Sequence, residues 1–372
     1  MEKSKVYFTD MSTHGTTSLI EKLKRLIKTA GIENIDFENK FAAIKIHFGE
    51  PGNLAFLRPN FAKAVVDTVK AAGGKPFLTD CNTLYVGRRK NAIDHLESAA
   101  ENGFSPASTG CPIIIADGLK GTDETLVPLE NTDYVKEAKI GRAIMDADII
   151  ISLNHVKGHG MTGFGGALKN LGMGCGSRAG KMEQHCEGKP SVDESKCKKC
   201  KACGLNCAQK AITYPDAGFA KIDHDKCVGC GRCIGICNFN AISAKSDSTS
   251  EKLCKKIAEY SKAVVQNRPN FHISIVMQVS PHCDCHNEND IAIVGDVGMF
   301  ASFDPVALDK ACVDAINKQP AIAGSLLDKN LKAGQNNGDH FSNANPGTNW
   351  KAVVEHGEKI GLGKQDYELI TV

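Results

Sequence analysis

The chain has 372 residues, 16 cysteines and a formal net charge of +2, which is more length than one ordinary domain needs. Near-neutral charge gives no electrostatic footprint for nucleic acid or a membrane surface, and no apolar run reaches bilayer-spanning length. The start at Lys3-Ser4-Lys5 has no charged-then-apolar signal pattern, and so many cysteines read as reduced thiols of a cytoplasmic protein.

Strand and helix signals alternate from the beginning. Lys5–Thr9 reads as a strand. Leu19, Ile20, Leu23, Leu26 and Ile27 fit one face of a helix over Thr17–Ala30, stopped by Gly31. Phe41–Phe48 is a second strand, and Pro59–Ala72 a helix with proline in its first turn. Phe77–Thr79, Ile113–Ala116 and Ile149–Leu153 are short apolar runs of the buried-strand type, with helices expected over Asn91–Asn102 and Val135–Asp146. This alternation predicts an α/β domain with a mostly parallel sheet.

The strand Ile149–Leu153 runs into a stretch dense in glycine, histidine and lysine, from Asn154 to Cys175. Open α/β sheets place ligands at the carboxyl ends of their strands. Gly163, Gly165 and Gly166 would let a cofactor approach the backbone, and a helix opening at Ala167 would offer free N–H groups to an anion. Lys157 and Lys169 would hold an anionic group, while His155 and His159 would carry protons or bind metal. The order of a phosphate-binding Walker loop is absent. His47 and Asp80 end two other strands, so a parallel sheet would bring them to the same rim. A glycine-rich turn with surface histidines is the plainer alternative.

Eight cysteines follow in two copies of one spacing, C-x2-C-x2-C-x3-C: Cys197, Cys200, Cys203, Cys207 and Cys227, Cys230, Cys233, Cys237. Each copy is shifted by 30 positions, and Ala211-Ile212 recurs as Ala241-Ile242. Three cysteines at steps of three wrap one face of a cubane cluster, and the fourth reaches the other cluster. One [4Fe–4S] is therefore expected on Cys197, Cys200, Cys203 and Cys237, the second on Cys227, Cys230, Cys233 and Cys207. A zinc ribbon needs two CxxC pairs and leaves the third step and the crossed cysteine without a use. The proline usual after the fourth cysteine is Ala208 in one copy and Asn238 in the other. Two such clusters suggest a low-oxygen host.

Beyond the cysteines, Lys252–Val265 reads as a helix, Ile273–Val279 and Ile291–Val294 as strands, and Asp304-Pro305 as the cap and first turn of a helix to about Asn317. Gly295–Ser302 and 334–349 read as loops. Between Ile273–Val279 and Ile291–Val294 stands His282-Cys283-Asp284-Cys285-His286, where Cys283 and Cys285 are candidate ligands for an additional metal ion. Residues 191–246 lack the alternation and read as a ferredoxin-like insert in an α/β domain made of 1–190 and 247–372.

The segment His155-x-Lys157-Gly158-His159 through Gly165–Asn170, with Gly295-Asp296-x-Gly298, Asp304–Ala307 and Lys75–Tyr85, resembles the iron–sulfur centre proteins of domain-of-unknown-function family 362. The resemblance covers nearly the whole chain, including the position of the insert. It implies an α/β domain remotely similar to the catalytic domain of lactate racemases, and it supplies no reaction. Together these readings give the expectation of an iron–sulfur oxidoreductase. Electrons would pass from a redox partner protein, through two clusters, to a rim site built from His47, Asp80, His155, Lys157, His159 and Lys169 that takes a small anionic substrate. The rival expectations are a non-enzymatic electron carrier or metal-handling protein, and a non-redox site with structural clusters.

Overall fold

The computed structural model describes every residue except 1–2, 14, 16, 85–86, 186–188, 217, 228, 230 and 245–248. One eight-stranded sheet carries the body. Its strands in chain order are β1 (Ser4–Asp10), β2 (Phe41–Lys45), β3 (Lys75–Asp80), β4 (Ile113–Ile115), β5 (Ile149–His155), β6 (Asn270–Val276), β7 (Gly298–Ser302) and β8 (Tyr367–Thr371). Their spatial order is β8-β1-β7-β6-β5-β2-β3-β4. Every pairing is parallel except the two made by β7.

Alternation along the buried strands sorts side chains to two faces. Ile44, Ile151, Leu153, Ile273 and Ile275 point to one side, against α1 (Leu19–Thr29) and α2 (Pro59–Ala71). Ala43 and Ile150 belong to the opposite layer. That layer is built by α4 (Ala167–Cys175), α6 (Ser250–Val265), α7 (Pro305–Asn317) and α8 (Lys351–Lys359), with α5 (Arg178–His185) beside the insert, whereas α3 (Ala92–Glu101) packs through Ala99 on the α1 and α2 side. The helix starts follow local chemistry. Ser18 and Glu21 form a reciprocal capping box on α1, and Asp304 accepts from Val306 and Ala307 at the head of α7. Helices α4 and α6 approach so closely that a Cβ on Gly172 would lie 2.2 Å from the Ile257 carbonyl oxygen.

Four expectations need correction. Val135–Asp146 is not one helix: Glu137–Gly141 is a strand paired with Glu124–Pro128, and only Arg142–Asp146 is helical. Helix-forming Glu, Ala and Lys yield there to alternate burial of Ala138 and Ile140. Ile291–Val294 is not a strand; Val294 makes a single bridge to Ala321. Gly295–Ser302 is not all loop, because Gly298–Ser302 is β7, fully buried. The stretch 334–349 also holds a short helix, His340–Ala344.

Between α5 and α6 the chain forms a small pseudo-symmetric unit. Pro190–Val192 pairs antiparallel with Ile242–Ala244, and Ile212–Thr213 with Lys221–Ile222. Short helices cover Ala202–Leu205 and Arg232–Ile236. Positive φ recurs at the same 30-residue shift: Lys199 and Gly229, Lys201 and Gly231, Lys210 and Asn240. The unit packs on the body through one apolar cluster that joins Leu84 and Met182 to Cys203, Cys233, Ile234 and Ile242.

Candidate functional site

Strands β2, β3, β5 and β6 run parallel, so their carboxyl ends share one edge of the sheet. At that edge lies a cavity of about 560 Å³. Lys45 and His47 reach it from the end of β2, Asp80 from β3, Lys157 and His159 from just beyond β5, and Cys283 and Cys285 from the loop after β6. Helix α4 adds Lys169 and Asn170, and α5 adds Lys181 and His185.

The walls are charged and ordered. Lys45 Nζ stands 2.9 Å from Asp80 and donates to Asn170 Oδ1 at 2.6 Å. Arg89 is held by Glu50 at 2.8 Å, with its NH1 3.0 Å from His47 Nε2. Burial first, then Arg89, pushes the His47 pKa well below the usual imidazole value. Burial does the same to His159, down to about 3. His159 Nδ1 accepts the backbone N–H groups of Met161 and Thr162, both at 3.1 Å. The neutral ring therefore carries its proton on Nε2. Among the described residues neither Lys169 nor Lys181 has a carboxylate partner. Lys169 Nζ donates to Cys283 Sγ at 3.4 Å, and Lys181 Nζ to the Gly176 carbonyl at 2.6 Å.

His155 stands outside the cavity lining. Its Nδ1 donates to Asp284 at 2.9 Å and its Nε2 to the Met277 carbonyl at 2.9 Å. Both nitrogens are thus committed, and His155 orients Asp284 rather than offering a proton or a metal ligand. Asp284 in turn holds Lys157 at 3.1 Å, and Lys157 also donates to the His155 carbonyl. Asp284 and the Cys283 thiol outweigh burial and raise the Lys157 pKa.

The glycines also differ from expectation. Lys157–His159 and Gly163–Gly165 form a tight hairpin. Gly163, at φ +74°, lies against Thr348, where a Cβ would sit 2.7 Å from Oγ1. Neither Gly163 nor Gly165 lines the cavity; Gly166 does, yet a Cβ there would meet Asp309 Oδ1 at 2.3 Å. The close backbone approach serves packing. The start of α4 is occupied as well, since Ala167 N and Leu168 N donate to Asp309 at 2.6 and 2.9 Å. Asp309 takes the place expected for an anionic ligand.

Cys283 and Cys285 face each other across a turn closed by His286 N–H on the Cys283 carbonyl at 3.0 Å. Their sulfurs and a His159 ring nitrogen all lie within 4.8 Å of one another. The hydrogen bond between the two thiols lowers Cys285 to about 6 and raises Cys283 to about 12.

In the insert, one hollow is lined by Cys197, Cys200, Cys203 and Cys237. A second is lined by Cys207, Cys227 and Cys233, while Cys230 lies outside the described residues. The fourth cysteine of each copy thus borders the hollow of the other. Ala211 N donates to Cys207 Sγ and Ala241 N to Cys237 Sγ, each at 3.3 Å. Such bonds suit thiolate sulfurs that ligate iron, so the residues present fit cluster ligation. Lys90 Nζ ties the body to the Cys237 carbonyl at 3.1 Å. Leu84 both lines the rim cavity and shares the apolar cluster of Cys203 and Cys233.

Sequence reading missed Lys45, Arg89, Lys181, Asp284 and Asp309. Asp284 was in view, inside the Cys283–Cys285 run; Lys45, Lys181 and Asp309 sit in strand or helix patterns and Arg89 in a turn, with no local signature.

The family model that matches, over residues 42–314, is described as a domain of unknown function, DUF362. A thylakoid-associated protein of Synechocystis is 30% identical over 126 residues, 34% of this chain and 35% of that protein. The pyruvate synthase subunit PorD of Methanocaldococcus jannaschii is 42% identical over 55 residues, 15% of this chain and 64% of the subunit. A Halobacterium salinarum protein, named for the iron–sulfur subunit of a dimethyl sulfoxide reductase, is 30% identical over 31% of this chain and 40% of its own. The match spans less than two thirds of each of these relatives. Among solved structures, the lactate racemase apoprotein of Thermoanaerobacterium thermosaccharolyticum aligns over 99% of this chain and 83% of its own, at 10% identity and TM-score 0.41. No helix among the described residues is long and apolar enough to cross a membrane.

Proposed function

The chain belongs to the DUF362 family, and on that footing we propose that it is an iron–sulfur electron-transfer protein whose clusters serve a substrate site on the α/β rim. Two [4Fe–4S] clusters are bound with crossed ligation, one by Cys197, Cys200, Cys203 and Cys237, the other by Cys227, Cys230, Cys233 and Cys207. The observation that carries the reading is the exchange of fourth cysteines, with Cys237 beside the first hollow and Cys207 beside the second. The similarity to a protein named for an iron–sulfur subunit supports it. When bound, the clusters would supply one-electron transfer.

The chain's own residues do the rest. Leu84 and the apolar cluster around it exclude water between insert and cavity. Lys169 and Lys181 bind the anionic group of a small substrate. His159 donates its Nε2–H to it as a neutral acid, and Lys45, paired with Asp80, keeps that wall rigid. A redox partner protein and a cytoplasmic, low-oxygen setting complete the reading. A pure electron carrier would need neither the cavity nor its lysines, which favours an oxidoreductase.

Purification without oxygen tests the proposal: about eight irons and about eight acid-labile sulfides per chain are expected from two cubanes. Stoichiometric zinc with little iron would overturn it.

A further inference from the structure

We propose that Cys283 and Cys285 form a redox-active dithiol/disulfide couple at the cavity wall, which collects electrons singly and releases them as a pair. Four observations point there. The two sulfurs lie within 4.8 Å of one another. The Cys283–His286 turn holds them on a short span of chain, and disulfide geometry asks for Cα atoms about 4.4–6.8 Å apart, which neighbours two positions apart in a turn satisfy. Asp284 between them is locked from the other side by His155 and Lys157, and its carbonyl accepts from Glu50 N at 2.9 Å, so the loop is a rigid hinge for one bond. Both thiols line the same cavity as Leu84, whose apolar cluster reaches the insert's cysteines.

A resident metal fits the same thiols less well. The third available group is His159, and its Nδ1 lone pair is already taken by two backbone N–H groups, which leaves a proton on Nε2. The Lys169 ammonium, which has no carboxylate partner among the described residues, stands 3.4 Å from Cys283 Sγ. An unpaired cation beside the thiols opposes a further cation and favours the reactive thiolate.

In the step, the Cys283–Cys285 S–S bond breaks on uptake of two electrons and two protons, giving two thiols. Each cluster, once reduced, would supply one electron and be oxidised, and Lys169, whose ammonium donates to Cys283 Sγ at 3.4 Å, would supply a proton. Handing the pair to a bound two-electron acceptor re-forms the S–S bond and releases two protons. That electron source rests on the function proposed above; the couple itself does not.

The test is differential alkylation of the full-length chain, equilibrated without oxygen in buffers of graded reduced and oxidised dithiothreitol, then digested and weighed. The peptide spanning Cys283 and Cys285 should pass from two tags to none, the untagged form being about 2 Da lighter than the free dithiol peptide, with the dependence of a two-electron couple. Cys283→Ser should abolish the transition and leave Cys285 reduced in the same buffers. Retention of both tags under oxidising conditions, or protection of both thiols by a stoichiometric bound metal, would overturn the proposal. Loss of iron from the chain with the couple intact would sink the cluster reading alone.

Discussion

The ammonium of Lys45 lies 2.9 Å from a carboxylate oxygen of Asp80, with both side chains shut away from solvent. Burial alone would push the Asp80 carboxyl up; Lys45, then His95, His47 and Arg89, hold it far below the usual range. Asp80→Asn leaves Lys45 buried without a counter-charge and should cost about 3–5 kcal/mol in urea unfolding. A loss under about 1 kcal/mol would show that water or Asn170 suffices for the ammonium.

Crossed ligation is visible in single substitutions. Cys207→Ser and Cys233→Ser should perturb the same paramagnetic signal in the reduced protein, and Cys203→Ser the other. If Cys207→Ser and Cys203→Ser altered one signal together, each copy would hold its own cluster.

Lys169→Met removes a cavity ammonium without touching the sheet. Binding of inorganic phosphate, used as an anion probe in calorimetry, should weaken by about 10–100-fold, the equivalent of a lost charged hydrogen bond. The thermal midpoint should hardly move. Unchanged binding would remove the case for an anion site and leave the electron carrier.

Two fully buried histidines contribute to the pH dependence of stability. Burial lowers His95 and His272 from 6.5 to about 3. Between those values the unfolded chain binds protons that the folded one refuses. The contribution of these two is therefore fully present above about pH 6.5 and falls as pH drops toward 3, by about 1.4 kcal/mol per unit for each histidine. In urea midpoints taken from pH 7 to 4, His272→Gln should lower the slope by one proton's worth, and an unchanged slope would show that the buried ring is protonated in the folded chain.

Replacing residues 191–246 by a short linker should leave a folded α/β body. Pro190–Val192 and Ile242–Ala244 are paired, so the cut ends start close together, and loop closure changes only logarithmically with length. Uncovering Leu84 and Met182 should cost about 3–6 kcal/mol of apolar burial. A molten product would mean that the insert completes the core.

Most of the sheet was legible because parallel strands advertise themselves as short apolar runs, as Ile149–Leu153 does. β7 was not, since Gly298-Met299-Phe300-Ala301-Ser302 opens on glycine and its direction is set by partners far away in sequence. The hairpin at Glu137–Gly141 was hidden by helix-forming residues. In the rim site, residues next to strand ends could be named, because strand direction alone brings His47, Asp80 and His159 together. What each does there could not. His155 turns inward because Asp284 and the Met277 carbonyl claim both its nitrogens, and the glycine loop is closed by Asp309, some 140 positions along the chain. Those facts are contacts, and no local pattern encodes them.

Lys201 and Gly231 hold matching positions in the two halves of the insert, at φ +62° and +67°. They are not interchangeable. A Cβ on Gly231 would lie 2.8 Å from Arg178 Cγ, whereas Lys201 stands exposed among Lys196, Lys198 and Lys199. Turned half-way round, the unit would press a lysine and its Cβ onto a buried arginine. A nearly symmetric module is thereby keyed to one orientation, and the two clusters proposed for it acquire an order: one half always looks outward to whatever arrives, the other always inward to the sheet. Current through such a module has a built-in polarity, set by which copy of a duplicated turn kept its glycine.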